Sequence, residues 1–326
     1  MKLTFAIPAL NRLDDETLPP LQLSAFNQIL RYGKLHKQAQ TSSEFYSRHL
    51  WSGSLLAHAK AWLQLPPEQP AALASPLWQQ MGMHQVSIIG GEHLRITPDE
   101  ATRFCEELSA FYHEDHWRFL PIRPDLWLVT KPSDSRWHVA PALDIYGQID
   151  AAAQAEGSDA LEWLGKQTEI QMWLHNHPIN HHRTAQNQPV INGLWLWQDL
   201  HGRQSADFTA TNSPWAQFSQ QPTIALPDDF NAYEGMMAAQ TSTVSDGLIF
   251  LDDLSVTAQT GDIWAYKDIL EDWEQRWFSP ALQALTSGRL HRLTVTTDGD
   301  NGGTLSITPK SKWAFWKTEK PFKGIW

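Results

Sequence analysis

The sequence predicts an α/β fold built on a mainly parallel sheet. Short apolar runs at 3–10, 194–197, 247–251 and 290–297 alternate with stretches of helical periodicity, the order that parallel sheets with crossover helices produce. The clearest such stretch is 263–285. Ile263, Tyr266, Leu270, Trp273 and Trp277 recur there at three- and four-residue steps, while Asp268, Glu271, Asp272 and Arg276 lie off the stripe. A length of 326 residues leaves room for one large domain or for a core interrupted by a second.

Composition narrows the function classes. With 42% hydrophobic and 19% charged residues the chain belongs with globular proteins and not with disordered ones. A formal charge of −11 offers no basic surplus to displace counterions, so nucleic acid is excluded as a partner. The single cysteine, Cys105, rules out an internal disulfide and suits a reducing compartment. The start, MKLTFAIPAL, is too short an apolar run for a signal peptide, and Asp14, Asp15 and Glu16 follow it. No run approaches the ~18 apolar residues of a membrane span. The expectation is a soluble cytoplasmic protein without a membrane partner.

Taken in order, 3–10 reads as a first strand ended by a polar cluster at 11–16. Residues 21–32 present Leu23, Phe26, Ile29 and Leu30 on one helical face, with Gly33 as C-cap. Residues 43–65 read as partly helical. Residues 66–76 are rich in proline and alanine and read as a loop at a domain border. Val86 to Ile89 suits a strand. Thr97, Pro98 and Glu100 spell a capped helix start, with the helix running to about Tyr112. Residues 117–120 and 126–130 pair around a proline turn. Residues 156–174 read as helix with Leu161, Leu164 and Ile170 on the apolar side, ended or kinked by Pro178. Residues 213–225 read as irregular and 234–239 as a short helix. Asp252 and Asp253 follow the strand at 247–251. Pro280 kinks the long helix, and 304–308 pairs back on 290–297 as a hairpin.

The most distinctive stretch is 169–202, EIQMWLHNHPINHHRTAQNQPVINGLWLWQDLHG. His177 and His181 are four apart, the spacing that puts two imidazoles on one helical face for zinc, but Pro178 interrupts it and no cysteine is near. Arg183 offers a guanidinium fork suited to phosphate or carboxylate, or to a structural ion pair. Asp199 follows the strand 194–197, at the end where open α/β sheets bind ligands, and equally suits turn capping. His113-Glu114-Asp115-His116 reads as a solvated turn, and the basic and aromatic mix at 310–323 as a packed C-terminal strand.

The order of motifs resembles the archaeal-type cofactor-independent phosphoglycerate mutases of the alkaline-phosphatase-like superfamily. It is closer still to a bacterial phosphoglycerate-mutase-like group that includes RpfE-type regulatory proteins. PLQLSAFNQILRYGKL at 20–35 is similar to an early helix-and-glycine segment, RPDLWLVT at 123–130 to the start of an inserted domain, and Asp144-Ile145-Tyr146-Gly147 to a D-I-x-G loop. His177-Pro178-Ile179-Asn180 with Arg183 resembles H-P-V-N-x-x-R, and Asn192-Gly193-Leu194-Trp195-Leu196-Trp197 resembles N-x-(I/L)-W-L-W. The resemblance implies an alkaline-phosphatase-like core at 1–76 and 190–326, interrupted by a smaller α+β domain at 77–189. It implies that Asn180 and Arg183 face the cleft; with His177 and Asn192 of the same motifs, and Asp199 at the strand end, they are the candidate ligand-binding residues.

Phosphoryl transfer in that superfamily uses two divalent ions about 4 Å apart, held at strand ends by aspartates and histidines with a serine or threonine nucleophile between. The metal-bearing loop of the resemblance corresponds to 255–262, with Ser255 for its first aspartate and Gln259 for its histidine. The later aspartate–histidine pair corresponds to Asp298-Gly299. Only His201 and His291 remain after residue 190. Asp14, Asp252, Asp253 and Asp298 are the carboxylates left to hold a hard cation, magnesium or manganese. Ser42, Ser43, Ser52 and Ser54 are all open as nucleophiles. The expectation is a phosphoglycerate-mutase-like protein that has lost two-metal catalysis and binds an anionic metabolite or a protein partner. The alternative is an active metal-dependent mutase or phosphatase with a rearranged site.

Overall fold

The structure is a computed structural model that describes residues 1–12, 18–81, 86–147, 155–238, 245–313, 318 and 321–326. The chain forms two compact units, Met1–Ser52 with Gly202–Trp326, and Gly53–His201. The borders of these units fall at 52/53 and 201/202.

The first unit opens with β1 (Lys2–Ala6). Helix α1 (Ser24–Tyr32) buries Phe26, Ile29 and Leu30. It begins later than its periodicity suggests, because the N–H groups of Ala25 and Phe26 are capped by the distant carboxylate of Glu274. Gly33 follows in an extended conformation, φ −67°, and not in the left-handed cap geometry. A side chain there would overlap the Ile29 carbonyl and Leu305. Strand β2 (Lys34–Lys37) is an edge strand whose lysines discourage further pairing. Helix α2 (Ser42–Leu50) starts on a capping box: Thr41 Oγ1 accepts the Glu44 N–H, and the Glu44 carboxylate accepts the Thr41 N–H, each at 3.3 Å. The chain leaves this unit along β3 (Ser52–Ser54).

In the second unit α3 (Leu55–Trp62) is capped by Ser54, whose Oγ accepts the Ala57 N–H at 2.9 Å. The expected loop at 66–76 is in part a strand, β4 (Ala71–Met81). Pro76 conceals it in the sequence but does it no harm. On the edge shared by β7 (Leu126–Thr130) and β5 (Val86–Gly90), pairing with the first stops at Ala74 and pairing with the second starts at Leu77. No donor is asked of Pro76 between them. Helix α4 (Pro98–Phe111) has the expected box, with Thr97 N–H to Glu100 at 2.8 Å and Glu100 N–H to Thr97 at 3.2 Å. Strand β6 (Arg118–Arg123) pairs antiparallel with β7 as expected, with a register shift at Pro121. Helix α5 (Ala142–Ile145) precedes α6 (Ala160–His175). The inner face of α6 is Trp163, Ile170 and Leu174, while Leu161 and Leu164, expected inside, are exposed. Pro178 does not end helix here. It opens α7 (Pro178–Ala185) at the first helical position, where its missing N–H has no partner to lose. Strand β8 (Gly193–Trp197) pairs antiparallel with β4, which is why it belongs to this unit and not to the parallel core.

The chain returns along β9 (His201–Arg203). Then come β10 (Phe208–Thr211), β11 (Thr223–Ile224), α8 (Phe230–Ala238), β12 (Asp246–Phe250), α9 (Leu254–Thr260), α10 (Ile263–Trp273), α11 (Ser279–Thr286), β13 (Arg292–Thr297) and β14 (Gly303–Ile307). The sheet order is β11-β10-β12-β1-β13-β14-β2. All pairings from β11 to β13 are parallel, and β14 returns antiparallel on β13, the expected hairpin. Helices α10 and α11 are one continuous rod with a π turn at Glu274–Phe278 between them. That wider turn lies just before Pro280, the residue expected to kink the helix. Phe5 packs edge-on against Trp277 and Phe278 in the core, with Phe5 and Phe278 centroids 5.6 Å apart, and Phe26 lies tilted on Phe278. Among the described residues no helix is long and apolar enough to cross a membrane.

Candidate functional site

Three neighbouring parallel strands, β12, β1 and β13, end on the same edge of the first sheet. The chain beyond each carries polar groups. Asp298, just past β13, is 5% exposed. Its Oδ1 accepts the Ala9 N–H at 2.7 Å, and its Oδ2 accepts the Ser42 hydroxyl at 2.6 Å. Ser42 is the first helical residue of α2, so its hydroxyl is held at a helix start beside a buried carboxylate. One turn further along α2, the Tyr46 hydroxyl lies 3.0 Å from Ser255 Oγ and donates to Asp252 Oδ2 at 3.5 Å. Burial, followed by the charge of Asp252, pushes the Tyr46 phenol well above its ordinary value, and Asp298 adds to the effect. Asp252 and Asp298 therefore act on one hydroxyl.

Two buried side-chain atoms beside this cluster have no hydrogen-bond partner: Asn11 Oδ1 and Gln40 Nε2. Both residues flank the turn after Asp298. Asn11 Nδ2 donates to the Asn301 carbonyl at 2.6 Å, and Gln40 exchanges backbone hydrogen bonds with Gly299.

Of the four expected metal carboxylates, Asp252 and Asp298 come together around Tyr46. Asp253 is not among the groups acting on Tyr46: its residue is exposed, partial burial of its carboxyl raises its pKa, and its charged neighbours are Arg276 and Asp272. Asp14 lies outside the described residues. Among the described residues no three His, Cys, Asp or Glu side chains are gathered so as to hold a metal ion. Ser255 and Gly299 stand where the resemblance implies ligands, but one is a hydroxyl paired with a phenol and the other offers no side-chain atom. Among the described residues this donor set does not by itself make up the ligands of a pair of divalent ions.

The ligand-facing residues expected at 177–199 all lie in the second unit, where internal partners engage them. His177 Nδ1 accepts the Ile179 N–H at 3.3 Å, capping α7, so the proton sits on Nε2, which is 3.0 Å from Glu107. The ring packs against Trp173 and Phe104, with centroids 4.5 and 4.7 Å away. Burial holds its pKa below the ordinary value, although Glu107 opposes this. Asn180 Nδ2 donates to the carbonyls of Leu174 and Ile191, and its Oδ1 accepts the Ile191 N–H. Arg183 is 0% exposed. Its Nη1 reaches both oxygens of Glu100, at 2.9 and 2.8 Å, its Nε donates to the Pro189 carbonyl at 2.7 Å, and its Nη2 donates to the Leu94 carbonyl. The fork expected to face an anion is filled by the helix-capping glutamate of α4. Asn192 extends the β4–β8 pairing through the backbone of Gln79, at 2.7 and 2.9 Å. Asp199 accepts the N–H groups of Leu56 and Leu200, both at 2.8 Å, at the start of α3.

Ser42 was one of four open serines, and Ser255 a position marked by the resemblance. Tyr46 was not singled out, although its spacing of four from Ser42 on a helix is a readable signal. The Ala9 N–H and the orphaned atoms of Asn11 and Gln40 leave no mark in a sequence.

No protein-family model and no curated protein matches the sequence. Among solved structures, the chain is similar to the cofactor-independent phosphoglycerate mutase from Thermoplasma acidophilum DSM 1728, at 15% identity and a TM-score of 0.41, over 94% of this chain and 89% of that one. It is also similar to the PH0037 protein from Pyrococcus horikoshii, at 11% identity and a TM-score of 0.48, over 94% of this chain and 87% of that one.

Proposed function

We propose that the chain is a phosphoglycerate-mutase-like protein that lacks a complete two-metal centre and works by binding an anionic metabolite or a protein partner, in a regulatory role. The observation that carries this reading is Ser255. The resemblance gives its position to a metal-binding aspartate, and here a hydroxyl stands there, paired with Tyr46 at 3.0 Å. Asp298 supports the reading, because both of its oxygens already accept protein hydrogen bonds. The experiment is the metal content of the purified protein together with mutase and phosphatase assays in added manganese. Fewer than two tightly bound ions per chain and no turnover are expected. Two tightly bound ions, with turnover that disappears in chelator, overturn the reading.

One observation favours a second reading, an active metal-dependent mutase or phosphatase with a rearranged site. The Ser42 hydroxyl at a helix start, beside Asp298, is an arrangement that a nucleophile could use. Ser42→Ala separates the two. It abolishes any manganese-dependent turnover under the second reading and has no turnover to abolish under the first.

A further inference from the structure

A cleft between α1 and α11, away from the strand ends, has a volume of about 250 Å³. That is several times the ~30 Å³ share of a liquid water, so it holds more than one water or a bare ion. Its rim is polar and neutral. Helix α11 contributes Ser279, Gln283 and Thr286, at four- and three-residue steps along one face, and α1 contributes Ser24 and Gln28, four apart. Its one charged lining residue is Glu274, 8% exposed.

Glu274 is more than a cap. Its carboxylate accepts the N–H groups of Ala25 and Phe26, the second at 3.1 Å. Leu23, at the N-cap position of α1, is an apolar core residue with no side-chain acceptor to offer. Instead a glutamate is carried in on the first residue of the π turn, and burial raises its pKa. Among the described residues no cation forms an ion pair with it, and its only hydrogen bonds are those two backbone contacts. Buried charges are ordinarily paired. A carboxylate has about four acceptor sites, and two are used. π turns recur at functional sites.

We infer that this cleft binds a small organic cation, an alkylamine with a hydrogen-bonding tail, and that Glu274 anchors its ammonium group. The methylene chain would lie against Leu282 and Ala25, and the tail would meet the amides and hydroxyls of the rim. A divalent metal ion suits the cleft poorly, because a single carboxylate and neutral oxygens in so large a space give no tight oxygen cage. The inference does not depend on the reading of the strand-end cluster.

The test is calorimetric titration of the full chain at 0.15 M salt with 4-aminobutan-1-ol, and with butane-1,4-diol as the neutral counterpart. The amine is expected to bind and the diol not to. Glu274→Gln is expected to weaken the amine by about tenfold or more, the loss of one charge-assisted hydrogen bond. No amine binding to the unaltered chain, equal affinity for amine and diol, or unchanged affinity in Glu274→Gln each overturn the inference. If Glu274→Gln does not fold, the exposed rim pair Gln28→Leu with Gln283→Leu carries the test, and unchanged amine affinity there overturns it equally.

Discussion

The Ser42 hydroxyl donates to Asp298 Oδ2 at 2.6 Å, while Oδ1 of the same carboxylate accepts the Ala9 N–H at 2.7 Å. One buried side chain thus joins the end of β1, the first turn of α2 and the end of β13. Asp298→Ala leaves the Ala9 N–H without its acceptor and is expected to cost about 1–3 kcal/mol, with Ser42→Ala costing about 1 kcal/mol. Urea unfolding of the two single variants and the double variant checks this. Strict additivity would deny the coupling.

Arg183 is the residue whose reading changed most. Its guanidinium is fully buried against Glu100, Leu94 and Pro189. Arg183→Ala strands the Glu100 carboxylate and is expected to destabilise the second unit by about 3–5 kcal/mol. Lysine does not rescue it, because a point charge cannot fill a fork with three separate partners. Thermal unfolding decides the matter. A variant as stable as the parent would return Arg183 to the list of ligand contacts.

His49 predicts a pH dependence. Its ring lies against Phe45, centroids 4.7 Å apart, and near Phe250 at 6.3 Å. Burial, aided by Arg48, lowers its pKa from 6.5 to about 3. Above pH 6.5 the ring is neutral in both folded and unfolded chains, and its contribution to stability is complete. Between 6.5 and 3 only the unfolded chain takes up the proton, so stability falls as pH falls, by up to about 1.4 kcal/mol per unit. His49→Phe is expected to flatten that slope in urea titrations run from pH 7 to pH 4. An unchanged slope would mean that other groups set it.

Gly90 stands against the ring of Tyr146, in the loop whose Gly147 N–H bonds the Ile88 carbonyl at 2.8 Å. A methyl group there would overlap that ring. Gly90→Ala is expected to cost about 1–3 kcal/mol, the ordinary penalty of overpacking. Adding Tyr146→Leu should recover part of it in the same unfolding assay.

Most of the local grammar was legible in the sequence. The Thr97–Glu100 box, the β13–β14 hairpin and the aspartates after β12 and β13 depend on residues within a few positions of each other. What escaped depends on distant partners. Strand β4 looked like a loop because of Pro76, and only the positions where β5 and β7 start and stop make that proline harmless. Leu161 and Leu164 followed a helical period, but Trp163 and Ile170 set the inward face. The candidate site was half legible: the resemblance marked Asp298 and Ser255, but only the fold brings Ser42 and Tyr46 to them. The α6–α7 corner carried the more conspicuous residues, and His177, Asn180 and Arg183 there hold partners within their own unit.

Strand β1 precedes both of its sheet neighbours in the chain and sits between them, β12 on one side and β13 on the other. During synthesis Lys2 must wait for Asp246, and then for Arg292, before either edge is paired. Residues 53–201 meet all the strand partners of their own sheet well before then. The second unit is therefore free to fold while the first is still an open, apolar strand, exposed to aggregation and in need of protection. A ribosome-bound chain halted shortly before Asp246, with residue 201 clear of the exit tunnel, would show this as protease resistance confined to 53–201.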